Sequence, residues 1–333
     1  MTDVMTDPTT NAPQREGVLV SPERRLSKED ILLVDGVSRD LLQDPGLLCY
    51  NPKVTELFKS AGCTVEDAEG CVRIRVPAAV LDKTLATAPS RIVLGGRREE
   101  DRLILDAHEP RVRFGSGSET NIWLDVNYDE SGGEASFERQ PGSIERLCDS
   151  AHLCNQLENL DFFIRNVNIQ DKSVTDENKD VNKYLASLNN ITRHVQAGLT
   201  TLDAIDDVVK LGQIVAGGEE AFEAAPPISF ITCVIKSPLQ VVEDTADKLM
   251  AMAQRRVPVV ISSCPMGGAT GPFDEFAMVA QINAELLAGM MITQLVSPGA
   301  PVLYGAVPVR TRLDNLNDMY GAPEFTHYNI DCA

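Results

Sequence analysis

The stretch that decides the fold is Val257–Val307, which holds two short apolar runs, VPVVISSC (257–264) and PVLYGAV (301–307). Runs of this length that are rich in β-branched residues are typical of buried strands. Between them lie a loop of small residues, PMGGATGP (265–272), and a long helical pattern from about Phe273 to Val296. The order of strand, helix and strand predicts a βαβ unit with parallel strands.

The same alternation reaches back to Arg111. Strand-like runs are followed by helical patterns at 112–115 and 143–157, 161–168 and 176–193, 194–199 and 202–216, and 228–235 and 238–255. With the two later units this makes about six βα units, a pattern that indicates parallel strands covered by helices. The helix start at 238 is predicted from Ser237-Pro238, a capping residue followed by a proline at the first helical position.

The last helical pattern decides between two α/β architectures. GAPEFTHYNIDCA (321–333) predicts a helix that is cut after about ten residues, whereas helices usually run roughly 8–20. We therefore expect a truncated chain. An open doubly wound sheet is the alternative, but the first βα turn lacks GxGxxG and no GxxxxGK followed by Ser or Thr occurs. The prediction is an α/β fold, a TIM (β/α)8 barrel that is incomplete at its C-terminus.

Three segments are predicted along the chain. Residues 1–20 are polar and contain proline, which indicates a disordered leader. Residues 21–110 are predicted to form an α+β segment, because Ser27 with Asp30 resembles a helix cap and Cys71–Val76 alternates apolar and charged residues. The barrel is assigned to residues 111–333.

The composition argues against several classes of protein. The 49 acidic and 30 basic residues give a net charge of −19, which disfavours non-specific binding to nucleic acid. No secretory signal is recognisable, and no window approaches about 18 uninterrupted apolar residues, so no membrane span is expected. The eight cysteines form no CxxC and no HExxH occurs, so no metal site is predicted. The expected location is the cytoplasm.

The first loop at a predicted strand end, FGSGSETN (114–121), carries groups that suit ligand binding. The active site of a barrel lies at the carboxyl ends of its strands. Glycines let the backbone approach a ligand closely, and the polar side chains offer hydrogen bonds. The candidates in this loop are Gly115, Ser116, Gly117, Ser118 and Glu119. An ordinary tight turn is the alternative interpretation.

Two later strands end in further polar candidates. Asn166 and Asn168 alternate in RNVN and would share one face, either as substrate groups or as partners in interior hydrogen bonds. Tyr304 stands beside Gly305 on the last predicted strand.

The loop SSCPMGGATGP (262–272) is also rich in special residues. Gly267 and Gly268 are candidates for close backbone approach. Cys264 is a conceivable nucleophile, but a buried cysteine without a paired histidine is usually inert.

Four segments resemble the trimethylamine methyltransferase family of methanogenic archaea, corrinoid-dependent enzymes with a TIM-barrel fold. They are FGSGSETN (114–121), SSCPMGGATGPFDEF (262–276), SPGAPVLYG (297–305) and GAPEFTHYNIDCA (321–333), and the resemblance extends over nearly the whole chain from about Ser21. It implies transfer of a methyl group from trimethylamine to the cobalt of a cognate corrinoid protein in methanogenesis. The corrinoid would be carried by that partner, with no cofactor bound directly by this chain.

The same resemblance implies a residue beyond the given sequence. In methanogen members, pyrrolysine follows a segment like NIDCA at an in-frame UAG codon, and reading that codon as a stop would end the chain at Ala333. Without pyrrolysine the fragment is expected to be inactive, and the catalytic residues are unknown. Glu119, Asn166 and Asn168 are hypothesised to balance the ammonium charge, and Tyr304 to offer a cation–π face.

Two alternatives remain beside this interpretation. Relatives without pyrrolysine demethylate quaternary amines such as glycine betaine, and the residue encoded after Ala333 distinguishes the two. A non-catalytic fragment is the other, although a barrel that lacks two units would leave open strand edges that favour aggregation. A homo-oligomer is expected in either enzymatic interpretation.

Overall fold

The computed structural model describes residues 14–117, 119–128 and 135–333. Its helices are α1 (Lys28–Gln43), α2 (Pro52–Ala61), α3 (Ala78–Leu85), α4 (Ile144–Gln156), α5 (Asp176–Asn190), α6 (Ile205–Ala216), α7 (Glu219–Ala224), α8 (Glu243–Gln254), α9 (Glu275–Val296) and α10 (Pro323–Cys332). Its strands are β1 (Val18–Leu19), β2 (Leu47–Cys49), β3 (Thr64–Ala68), β4 (Cys71–Arg75), β5 (Arg91–Leu94), β6 (Leu103–Asp106), β7 (Arg111–Val112), β8 (Ile122–Asn127), β9 (Ser136–Pro141), β10 (Phe162–Ile164), β11 (His194–Ala197), β12 (Ile228–Thr232), β13 (Ile235–Lys236), β14 (Gln240–Val241), β15 (Val259–Ser263), β16 (Met266–Gly267), β17 (Val302–Ala306), β18 (Val309–Thr311) and β19 (Asp318–Met319).

The chain forms two compact units that interleave along the sequence. The first comprises the described residues up to Val20 together with Arg91–Ser229, and the second comprises Ser21–Ser90 and Phe230–Ala333. Strand β12 begins in the first unit and ends in the second. The predicted boundaries at residues 20 and 110 stay predictions.

Parallel pairing in the first unit joins β10 to β11, with Phe162 opposite His194. The strand predicted at 112–115 is wrong as a regular parallel strand, since β7 covers only Arg111–Val112 and pairs antiparallel with β1. Gly115 contributes only an isolated parallel bridge to Phe162. The ring of Phe162 packs closely on Gly115, since a Cβ at this position would lie 2.4 Å from it. A glycine packed against a ring in this way adds little to a strand ladder.

The helices α4 and α5 of the first unit confirm their predicted positions. The hydroxyl of Ser143 accepts a hydrogen bond from the amide of Arg146 and so caps α4. A capping box with Thr175 and Asn178 starts α5. The antiparallel hairpin β8–β9 precedes α4 and was not predicted. Of the predicted leader, residues 1–13 lie outside the described residues, while β1 pairs with β7.

The second unit contains three parallel strands and a second, mostly antiparallel sheet. Strand β12 pairs with β15, and β15 pairs with β17, with Ile261 opposite Tyr304. The second sheet has the order β13-β14-β2-β4-β3. It confirms the predicted strand at 71–76, and the capping box of Ser27 and Asp30 confirms the predicted start of α1.

The predicted helix start at Ser237-Pro238 is wrong. These residues form the turn between β13 and β14, and α8 begins only at Glu243. The physical reason is the pairing of the flanking residues, since Ile235 and Lys236 form an antiparallel ladder with Val241 and Gln240. The Ser237 hydroxyl donates to the Glu285 carboxylate at 2.7 Å within this turn.

The α/β class is confirmed, whereas a closed barrel is not found among the described residues. The βα order at the parallel strands is compatible with a barrel, so the incomplete TIM barrel stays a prediction. One described helix, α9, is long and apolar enough to cross a membrane by length and composition. However, 72% of its most apolar stretch is buried inside the protein, as in a core helix.

Candidate functional site

The ends of β12 and β15 bring several chemically active side chains together in the second unit. Thr232 ends β12 and pairs with Ile261, so the next residues, Cys233 and Ser262, lie side by side near the ends of the two strands. Cys264 comes two residues after Ser262. Burial raises the pKa of its thiol, and a hydrogen bond with the side chain of Tyr320 offsets part of this rise. We call Cys233, Ser262, Cys264 and Tyr320 the β12–β15 mouth.

The two faces of β15 have different partners. A Cβ at Gly289 of α9 would lie 2.4 Å from Ile261, so Ile261 faces this helix. Side chains alternate along a strand, and Ser263 therefore also faces α9, where its hydroxyl donates to Glu285. Ser262 lies on the opposite face. It is only 2% exposed, and its hydroxyl lies beside the thiol of Cys233.

Glu285 of α9 is a fully buried carboxylate held by four donors. One oxygen accepts from the hydroxyls of Ser237 and Ser263, and the other accepts from the Leu239 amide at 3.1 Å and the Gln281 side chain at 3.0 Å. Burial raises the pKa of Glu285, and the four donors offset part of this rise. Within the described residues, no lysine, arginine or histidine pairs with it.

The two thiols of the mouth are held in their protonated form. Cys233 is exposed as a whole residue, but burial around its thiol raises its pKa, and a hydrogen bond with the Ser262 side chain offsets part of the rise. Burial also raises the pKa of Cys264. The negative charge of Glu285 adds to both increases. Because the thiolate is the nucleophilic form, the structure gives no support to a nucleophilic role for Cys264.

Gly267 and Gly268 of the loop SSCPMGGATGP (262–272) stand where neighbouring side chains pack closely on the backbone. Gly268 has a positive φ of 94°, and a Cβ there would lie 3.1 Å from Leu313 and 3.2 Å from Phe273. A Cβ at Gly267 would lie 3.1 Å from the Tyr328 hydroxyl. These contacts account for both glycines without a ligand, so their role in binding stays a prediction.

Tyr304 lines a cavity of about 510 Å³ in the second unit, together with Asn283, Asp331 and Cys332. Its hydroxyl donates to the side-chain oxygen of Asn283 at 3.1 Å. Burial raises the pKa of Tyr304, so the phenol is neutral. The residue remains 37% exposed, which leaves part of its side chain open to a ligand.

The candidates of the first unit are largely engaged with neighbouring residues. Ser116 exchanges two hydrogen bonds of 2.8 Å with the backbone of Ile164, so it acts as a strand partner. The amide nitrogen of Asn166 bonds to Ser150 of α4 at 2.6 Å. That of Asn168 donates to Asn121 at 2.9 Å. Interior hydrogen bonding accounts for these contacts.

The remaining candidates of the FGSGSETN loop differ in their surroundings. Glu119 forms an ion pair with the buried Arg165, whose Nε has no hydrogen-bond partner. A Cβ at Gly117 would meet no atom within 4 Å, so this position is open. Ser118 lies outside the described residues.

Sequence reasoning missed the buried charges of both units. In the first unit, Lys183 and Asp180 of α5 pair at 2.5 Å and are almost fully buried. In the second unit, Glu285 was overlooked, although an acidic residue in the middle of the apolar helix α9 was a visible signal. Among the described residues, no group of three histidine, cysteine or acidic side chains is placed to hold a metal ion.

Comparison with known proteins gives a consistent result. The sequence model of the family described as trimethylamine methyltransferase (MTTB) matches residues 9–333. A trimethylamine methyltransferase MttB from Desulfitobacterium hafniense (strain DSM 10664 / DCB-2) is 27% identical over 307 residues, which are 92% of this chain and 59% of the relative. MttB from Methanosarcina barkeri is 28% identical over 303 residues, 89% of this chain and 58% of the relative.

A relative with another substrate in its name also matches. The glycine betaine methyltransferase of Desulfitobacterium hafniense (strain Y51) is 22% identical over 309 residues, 92% of this chain and 61% of the relative. The chain thus spans about three fifths of the length of the curated relatives it matches.

Proposed function

Because the chain belongs to the trimethylamine methyltransferase (MTTB) family, we propose that it takes part in removing a methyl group from trimethylamine. The observation that carries this proposal is the family match over residues 9–333. The names of the relatives from Desulfitobacterium and Methanosarcina support the same substrate. The proposed products are dimethylamine and a methylated acceptor.

The chemistry of the substrate sets what the protein must provide. Loss of a methyl group from a neutral amine would release an amide anion, which is a very poor leaving group. The nitrogen that loses the methyl group therefore has to be cationic, so that a neutral amine departs. The site must therefore bind a methylated ammonium, keep it oriented and offer no competing nucleophile. The β12–β15 mouth suits this task, since its cysteines stay protonated.

The acceptor is expected to be a corrinoid carried by a cognate partner protein, which would supply the nucleophile that takes the methyl group. Two residues of the β12–β15 mouth are accessible to such a partner protein from solvent. Cys233 and Tyr320 are exposed at the strand ends, and Tyr320 is 53% exposed. Pyrrolysine and a role in methanogenesis remain expectations that derive from the family resemblance. A cytoplasmic location, which the composition predicts, and a homo-oligomer also remain expectations.

A quaternary amine is the second candidate substrate, and the glycine betaine methyltransferase among the relatives favours it. Glycine betaine carries a permanently cationic nitrogen, so it meets the same chemical requirement without protonation. Its demethylation would release dimethylglycine.

The test is a methyl-transfer assay with the full-length protein, the reduced corrinoid protein and either amine as the only donor. Dimethylamine formed from trimethylamine, at the rate at which the acceptor is methylated, is the expected result. Dimethylglycine formed from glycine betaine, with no reaction of trimethylamine, would replace the first proposal with the second. Failure with both donors would contradict both proposals.

A further inference from the structure

The hairpin β8–β9 of the first unit presents its apolar side chains to solvent. Ile122, Leu124 and Val126 occupy every second position of β8, share one face of it and are between 41% and 54% exposed. Phe137 of β9 lies opposite Val126 and is 67% exposed. An antiparallel sheet with one wet face ordinarily turns its apolar face to the core. This hairpin does the reverse, and an exposed apolar surface of this kind indicates an interaction site.

The opposite face of β8 is anchored to the first unit. The indole nitrogen of Trp123 donates to the Asp125 carboxylate at 3.0 Å. Arg146 of α4 donates to the same carboxylate at 2.8 Å, and its guanidinium carbon lies 5.6 Å from the centroid of the Trp123 ring. These contacts fix which face of the hairpin is turned outward, so the apolar face is held in solvent.

The outer edge of β8 is open to a further strand. In the part of the chain that the structure describes, β8 has β9 as its only strand partner. Natural edge strands are usually protected by charged residues or prolines. The neighbouring strand β9 carries Glu138, Arg139 and Pro141, whereas the charge of Asp125 on β8 is taken up by Arg146. The edge of β8 is thus both apolar and unprotected.

We propose that β8 pairs antiparallel with β8 of a second copy of this chain, about a two-fold axis at Leu124. Leu124 then lies opposite Leu124 of the second copy, and Ile122 lies opposite Val126 in both halves of the contact. The two hairpins form one four-stranded sheet. An isolated two-stranded hairpin is marginally stable in water, whereas three or more strands are stable. The second copy therefore supplies what this hairpin lacks.

The sequence of β8 is complementary to itself in this register. All pairs on the outer face are apolar, and such cross-strand pairs stabilise a sheet. On the inner face Trp123 meets Asp125 of the second copy, so no like charges lie opposite each other. A register centred on Asp125 would instead place two aspartates face to face. Because the chain carries a net charge of −19, most surfaces of two copies repel each other, and β8 is a place where they meet without opposed acids.

The first experiment measures the mass of the full-length protein in solution by sedimentation velocity. Leu124→Lys places two lysines opposite each other, and Leu124→Glu places two glutamates there. Each change should raise the dissociation constant of the pair by about tenfold or more, because like charges directly opposite destabilise a sheet. An equal mixture of the two variants should form the pair again, since every contact then joins a lysine to a glutamate.

Folding is not at risk in these variants, because Leu124 is exposed and makes no core contact that the change would remove. Circular dichroism checks this. The matched control is Leu153→Lys on α4, which adds the same charge at another exposed leucine and should leave the mass unchanged.

A second experiment tests the register by oxidation with oxidised glutathione. Leu124→Cys should form a disulfide between two copies, because directly opposite residues lie within disulfide distance. Ile122→Cys should not link to itself but should link to Val126→Cys when the two variants are mixed. The unmodified protein, with its eight native cysteines, gives the background.

Three results would overturn the inference: an unmodified protein that is monomeric at micromolar concentration, an unchanged mass in both charged variants, or a mixture of them that stays dissociated. A monomer whose Leu124→Lys variant no longer transfers methyl groups to the corrinoid protein would assign the hairpin to that partner instead. The proposal does not rest on the proposed function. Because mass and cross-linking are measured without methyl transfer, its failure and the failure of the proposed function are distinguishable.

Discussion

At the scale of single residues, the Asp180–Lys183 pair shows how a buried charge is tolerated when it is matched. Lys183 donates to Asp180 and to the carbonyl of Gly198 at 2.6 Å, while Asp180 accepts from the amides of Thr200 and Thr201. Burial raises the pKa of Asp180, but the charge and hydrogen bond of Lys183 and the two amides outweigh it and lower the pKa overall. Each partner therefore depends on the other.

We predict that Asp180→Asn lowers the free energy of unfolding by about 3–5 kcal/mol, because Lys183 is left buried without a counter-charge. The double variant Asp180→Leu/Lys183→Met removes both charges and should lose clearly less. Urea unfolding of the three proteins measures this. Equal losses in the single and double variants would show that packing, and not charge, is what these residues contribute.

His194 predicts a dependence of stability on pH. Its ring donates from Nδ1 to the carbonyl of Gly95 at 3.0 Å and accepts at Nε2 from Ser229 at 2.8 Å, so it is neutral. Burial lowers its pKa from 6.5 to about 4. Below pH 6.5 the unfolded chain binds a proton that the folded protein does not take up, and stability falls until the pH reaches about 4.

The expected loss from this histidine between pH 7 and pH 4 is about 3 kcal/mol. His194→Gln retains a donor and an acceptor without a titrating group, so its stability should change less over this range. Unfolding curves at both pH values measure the difference. Parallel pH profiles for the two proteins would remove His194 as the cause.

The buried residues also show where sequence reasoning stops. The alternation of Asn166 and Asn168 was readable, and the structure leaves both half-buried, with buried residues at Arg165 and Val167. Their partners were not readable, since Ser150 and Asn121 are reached only through the fold. The partners of Glu285 were unreadable for the same reason, because three of its four donors, Ser237, Leu239 and Ser263, come from two other segments of the chain.

At the scale of elements, α9 depends on one close contact with β15. A Cβ at Gly289 would lie 2.4 Å from Ile261 and 3.1 Å from Val234. We predict that Gly289→Ala lowers the free energy of unfolding by about 1–3 kcal/mol through overpacking, despite the higher helix propensity of alanine.

The matched control is Gly36→Ala in α1, where an added Cβ meets no atom within 4 Å. This change should raise stability by up to about 1 kcal/mol, because it only removes the entropic cost of a helical glycine. Thermal unfolding of both variants gives the comparison. A stabilising Gly289→Ala would mean that α9 does not pack against β15 at this position.

Sequence patterns located most helices and failed where tertiary contacts intervened. The start of α4 was readable because its cap, Ser143, lies next to the helix. Ser237-Pro238 has the same appearance, but its flanking residues pair as β13 and β14, and the helix begins at Glu243. The hairpin β8–β9 was missed, since its residues are largely exposed and show no clean apolar alternation.

At the scale of the whole molecule, the family is established by the match over residues 9–333, and the segments quoted from the sequence were sufficient to identify it. The substrate and the partner stay proposals, because the chain spans only about three fifths of the length of its relatives. The barrel likewise remains a prediction, since neither unit of the described chain closes a sheet.

The most direct measurement is a crystal structure of the full-length protein soaked with tetramethylarsonium, whose arsenic is located by anomalous scattering. We predict a peak at the β12–β15 mouth, between Cys233, Ser262, Cys264 and Tyr320. A peak beside Glu119 and Asn166 or at Tyr304, with none at the mouth, would contradict the account and return the cation site to those residues.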